Sequence, residues 1–142
     1  MVIDANLLLF ARDRSAVQHE RARDWLGGVL NGGVRVGLPW ASLLAFARIS
    51  THPRAYERPL SASEAWGQVE AWLAAPAAWI PSPTERHSEL LGDLVKEHGV
   101  TGNLIPDAHI AALALEHGVA VCSADSDFAR FTELRWVNPL MD

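Results

Sequence analysis

The stretch VCSADSDFARF, residues 121–131, passes from small apolar residues straight into two aspartates, Asp125 and Asp127. Two further acids stand in comparable places. Asp4 directly follows the first apolar run, and Asp107 follows Pro106 at the head of an apolar helical pattern. Taken singly, each has an ordinary structural use. Asp4 suits an Asx turn, Asp107 complements a helix dipole, and Asp125 caps a short helix. Taken together they suit another chemistry, because close-packed carboxylates resist ionising in company unless a cation compensates. Hard oxygen ligands of this kind fit Mg²⁺ or Mn²⁺, which can orient a phosphate, generate hydroxide from water and offset developing charge.

That chemistry requires the four acids to meet, so the elements that carry them decide the matter. Residues 1–4 read as a first strand, 34–38 as a second, 78–81 as a weak third, 119–123 as a fourth and 135–139 as a short fifth. Between them lie helical patterns. One covers 16–30, with Val17, Ala22, Trp25, Leu26, Val29 and Leu30 on a stripe of roughly 3.6-residue period. Another starts with a Ser61-to-Glu64 capping box, and a third is closed by Gly99. Strands alternating with helices imply an α/β fold with a mostly parallel sheet and helices on both faces. Ligands of such sheets sit beyond the carboxyl ends of the strands, where Asp4 and Asp125 fall. A helix over 107–117 spans about 16 Å and a strand over 119–123 returns about 16 Å. Asp107 therefore comes back to the same edge, with Asp127 two residues beyond Asp125.

Composition narrows the setting. At 142 residues the chain fits one domain, residues 1–142, and half of it is hydrophobic, so it should bury a substantial core. No apolar run approaches a membrane span and no basic leader precedes one, so a soluble, cytoplasmic protein is expected. The lone Cys122 should be core, and the histidines lack zinc-type spacing. A net charge of −5 argues against a protein that coats nucleic acid, though not against an enzyme acting on it. Eleven of the twelve basic residues are arginines. Arg12, Arg14, Arg48 and Arg54, which follow or flank edge elements, are candidates for backbone phosphate contacts. The six tryptophans are expected to be mainly core, with some lining a protein interface.

MVIDANLLLFA, NLIPDAHIAALALEHG and VCSADSDFARF, in this order, resemble the three acidic motifs of PIN-domain ribonucleases. Order and spacing are closest to the VapC toxins of bacterial toxin–antitoxin pairs. The resemblance covers essentially the whole chain. It implies a five-stranded parallel sheet, Mg²⁺-dependent RNA cleavage leaving 5′-phosphate and 3′-hydroxyl ends, and a cognate antitoxin, expected to insert a basic segment into the site. Dimers are typical of the family. Carried over by position, Asp4, Asp107 and Asp125 match the metal-binding acids, and Asp127 a more variable fourth. Asn6 and Ser123 match their polar supports. One departure stands out: the helix after strand two usually carries a glutamate, and that position is Ala45 here, in a run free of Asp and Glu from Trp25 to Tyr56. Ser42, one turn earlier, is the nearest polar substitute. Two other readings compete. One is a degenerate PIN domain that binds antitoxin or nucleic acid without cleaving. The other is a haloacid-dehalogenase phosphatase, which would need an acid where Asn6 stands and a lysine where only Lys96, inside an amphipathic helix, is offered.

Overall fold

The computed structural model describes residues 1–141. In chain order these form β1 (Val2–Ile3), α1 (Ala5–Arg12), α2 (His19–Leu30), β2 (Val36–Gly37), α3 (Trp40–Ser50), α4 (Ala62–Leu73), β3 (Ala78–Trp79), α5 (His87–His98), α6 (Ile105–Glu116), β4 (Val121–Cys122) and β5 (Trp136–Val137). The strands make one sheet in the order β3-β2-β1-β4-β5, parallel at every pairing. The α/β class, the strand number and the parallel direction all agree with the alternation read from the sequence.

The period of two along each strand divides the core. Val2 and Val121 face Leu94, Ala111 and Phe128, while Ile3 and Cys122 face Leu7, Phe46 and Val69. Helices α1 to α4 therefore cover one face and α5 and α6 the other. Neighbouring strands approach so closely at Gly37 that an added Cβ would lie 3.1 Å from the Met1 carbonyl oxygen and 3.3 Å from Pro81. Helix ends follow the sequence signals. Ser61 Oγ accepts from the Glu64 amide and Glu64 accepts from the Ser61 amide, closing the capping box. Gly99 ends α5 at φ 59°.

The order of the strands positions the site. From β1 the chain builds outward through β2 to β3, then returns to lay β4 and β5 on the other side of β1. The β1/β4 junction is thus the point where the strand order reverses, the usual ligand crevice of an open α/β sheet.

Three local expectations need correction. Helix α2 begins at His19, not Ala16, because Asp13 Oδ1 accepts from both the amide and the hydroxyl of Ser15 and makes a turn instead. Val17, read as part of the apolar stripe, is left outside the helix and 99% exposed. The tryptophans are less buried than expected: Trp72 is in the core, whereas Trp40 and Trp66 stack on each other at the surface with ring planes 10° apart. No helix among the described residues is long and apolar enough to cross a membrane.

Candidate active site

β1 and β4 pair with Ile3 opposite Cys122, so Asp4 and Ser123 leave the sheet side by side. The Asp4 amide donates to the Cys122 carbonyl at 3.0 Å and extends the ladder by one bond. Fully buried Ser123 is the hub of a polar network. Its hydroxyl donates to Asp4 Oδ2 at 2.8 Å and accepts from Asn6 Nδ2 and from the Asp125 amide, each at 3.0 Å. One donor and two lone pairs are all a hydroxyl possesses, and all are used. Asn6 Oδ1 in turn accepts from the Ala124 amide at 3.2 Å, and Trp136 Nε1 donates to the Ser123 carbonyl at 3.0 Å. Asn6 and Ser123 thus lock the start of α1 to the end of β4.

Asp4 Oδ1 accepts from the Ala5 amide at 2.9 Å, so the residue also caps α1. Asp125 caps a 3₁₀ turn over Ser126–Arg130, its Oδ1 accepting from the Asp127 amide at 2.8 Å. Capping and convergence are therefore not alternatives here: the Asp125 cap uses only Oδ1, and at Asp4, where each oxygen accepts one hydrogen bond, each keeps a further lone pair. Asp107 sits in the first turn of α6, whose remaining length is packed into the core through Ala108 and Ile110 to Ala114. Carboxylate oxygens of Asp107, Asp125 and Asp127 lie within 4.8 Å of one another.

Charge states show how crowded the cluster is. Burial raises the Asp4 carboxyl above its ordinary range, with Asp125 adding to the effect and the Ser123 and Ala5 hydrogen bonds opposing it. Asp107 is pushed up to about 6, by burial first and then by the negative fields of Asp4, Asp125 and Asp127; Arg130 partly relieves it. Asp107 thus feels the other three acids and Asp4 feels Asp125, as one site requires.

The donor set fits a hard divalent cation. Oxygens about 2.1 Å from a common ion stand up to about 4.2 Å apart, a gap that small side-chain rotations close from the present spacing. A second grouping, Glu97, His98 and Glu133, offers similar atoms at the surface, where His98 Nε2 and Glu133 Oε1 already pair at 2.8 Å.

The remaining candidates lie elsewhere. Arg12 ends α1, about 12 Å along the helix axis from its start at Asp4, and Arg48 lies in the last turn of α3. With Arg14 and Arg54 just beyond these helix ends, the four arginines stand away from the carboxylates. Arg12 and Arg14 line a cleft of about 1060 Å³ with Arg23 and Trp72. Ser42 is buried on α3, its hydroxyl without a hydrogen-bond partner among the described residues, and Ala45 is half-buried. The arginine that does reach the acids is Arg130, which is not among the sequence candidates. Its spacing of three from Asp127 is the signal that was available.

Residues 1–134 match the family model of the PIN domain. Ribonuclease VapC37 of Mycobacterium tuberculosis is 44% identical over 138 residues, 97% of this chain and 96% of the relative. Ribonuclease VapC43 of the same species is 40% identical over 140 residues, 99% and 95% of the two chains. Among solved structures, a chain of VapBC2 from Rickettsia felis, bound to a DNA fragment from its promoter, superposes with a TM-score of 0.69 at 14% identity and 96% coverage of each chain. This chain belongs to the PIN-domain family, within its VapC ribonuclease branch.

Proposed function

We propose that this protein is the nuclease of a toxin–antitoxin pair and that it hydrolyses RNA at the β1/β4 edge. The observation that carries the reading is the grouping of Asp107, Asp125 and Asp127, with Asp4 near enough to join burial and the other two acids in raising Asp107 to about 6. Asp107, Asp125 and Asp127, in place of the set Asp4, Asp107 and Asp125 that the resemblance implies, would hold the divalent ion, Mg²⁺ or Mn²⁺. When bound, that ion supplies Lewis acidity toward a phosphoryl oxygen and makes water more acidic. Asp4 is held by Ser123 and the Ala5 amide, and burial inclines its carboxyl to keep a proton. That inclination suits a group that takes a proton from attacking water. Water oxygen bonds to phosphorus as its proton passes to Asp4, the bond from phosphorus to O3′ breaks, and O3′ takes a proton from solvent and leaves as a hydroxyl, giving a 5′-phosphate on the other product.

The antitoxin expected on this reading places Arg or Lys among the carboxylates, since an acidic cleft on a chain of net charge −5 attracts a basic segment. The R. felis structure, which contains VapBC2, supports an antitoxin partner. Exposed Trp40, Leu44 and Trp66 support a protein-covered face, in keeping with a homodimer. The expected location is the cytoplasm. The competing reading, a PIN domain that binds without cleaving, draws on Ala45, since α3 carries no acid. Sequencing of RNA ends after expression of wild type beside Asp4→Asn separates the two. New 5′-phosphate ends confined to wild type support cleavage, and identical end profiles support binding alone.

A further inference from the structure

A nuclease built from four carboxylates must still attract a polyanion. A divalent ion offsets only two of those charges, so phosphate entering the site needs a cation from the protein. Arginines at the ends of α1 and α3 are poorly placed to supply it. Arg130 is well placed. Its guanidinium pairs with Asp127, which stands in one carboxylate grouping with Asp107 and Asp125.

Its geometry leaves it free to act. Arg130 Nε donates to the Asp127 carbonyl at 3.2 Å, which anchors the base of the guanidinium to the 3₁₀ turn. Nη2 stands 3.7 Å from Asp127 Oδ1, beyond hydrogen-bonding distance. The side chain is 36% exposed, so it is open to solvent beside Asp127. An anchored guanidinium with its outer edge uncommitted is preorganised for two oxygens of a phosphate. We propose that Arg130 is an RNA-binding residue of this site and grips non-bridging oxygens of a backbone phosphate beside the carboxylate cluster. This rests on the nuclease function proposed for the same edge. A purely structural Arg130 would only close the 3₁₀ turn onto Asp127.

The test uses full-length protein in the Asp4→Asn background, with Mn²⁺ and a short fluorescein-labelled single-stranded RNA. Affinity is measured across a salt series with and without Arg130→Gln and Arg130→Lys. One lost phosphate contact lowers the slope of log K against log salt by about 0.7 for a single strand. Arg130→Gln should show that drop and bind at least tenfold more weakly, whereas Arg130→Lys should keep the slope and lose only part of the affinity. In cleavage assays of the otherwise wild-type chain, Arg130→Gln should act mainly on KM, with melting temperature unchanged. An unchanged slope in Arg130→Gln, or a loss explained by a lower melting temperature, would overturn the proposal while leaving the nuclease reading intact. Failure of the Asp4→Asn protein to bind RNA at all, with no cleavage by wild type, would overturn both.

Discussion

Helix α6 carries a carboxylate at each end, and the two behave oppositely to what the helix alone dictates. The N-terminal dipole should favour ionised Asp107 and the C-terminal dipole should disfavour ionised Glu116. Instead Asp107 is raised to about 6, while Glu116 lies below its ordinary range. Burial opposes ionisation of both. At Glu116 it is outweighed by hydrogen bonds from His87 and from the amide and hydroxyl of Thr84, the latter two at 2.8 Å. His87 Nε2 continues the chain to His109 Nδ1 at 2.9 Å, so the array is complete within the protein. Asp107 has burial and three like charges against it and one guanidinium, Arg130, in its favour. Burial and neighbours, not the helix dipole, set these charges. One end of α6 is finished, and the other is built to be completed by a cation.

The largest effect should come from the unfinished end. Asp4→Asn, Asp107→Asn and Asp125→Asn should each reduce RNA cleavage by at least about a hundredfold, the range for loss of a group acting on the transition state. Metal-free thermal stability should stay equal or rise as like-charge repulsion is relieved. Unfolding of all three variants would mean that these acids are structural. At the finished end the pattern reverses. Glu116→Ala strips His87 and Thr84 of their acceptor and should cost about 2–3 kcal/mol in chemical denaturation, with catalysis of the folded fraction unchanged.

The next effect is smaller. Ala45→Glu adds a carboxylate on α3 where the family usually has one, and should tighten Mn²⁺ binding about tenfold, or about 1.4 kcal/mol. Equal affinities in two well-folded proteins would show that position 45 does not serve the cluster. Weakest of all is a pH dependence. Because Asp107 holds its proton more tightly when folded, its contribution to metal-free stability is complete below about pH 4. It is lost as pH rises through about 6. In chelator, the melting temperature of Asp107→Asn relative to wild type should therefore climb between pH 4 and pH 7. A flat difference would remove the electrostatic explanation.

What was legible in the sequence depends on which interactions are local. Asp4 and Asp125 could be placed because an acid directly after a strand, or a residue or two beyond it, must lie at its carboxyl end, and Asp107 because helix and strand rises nearly cancel. The Ser61–Glu64 box and Gly99 depend on residues a turn apart and read cleanly. The strand order was not legible, since nothing local says that β4 returns beside β1. Thr84, His87, His109 and Glu116 are joined only by the packing of α5 on α6. Arg130 was missed because its placement depends on a five-residue 3₁₀ turn, and the Asp125 cap that makes the turn gives no hint of a cation at its far end.

On this account the N-terminal end of α6 serves a cation site and its C-terminal end does not. Calorimetric titration of Mn²⁺ into metal-free protein near pH 7 decides the point. Wild type should bind, weakly for want of an acid on α3; Asp107→Asn should lose at least tenfold in affinity, and Glu116→Gln should match wild type. Equal binding by wild type and Asp107→Asn, or a loss confined to Glu116→Gln, would contradict it.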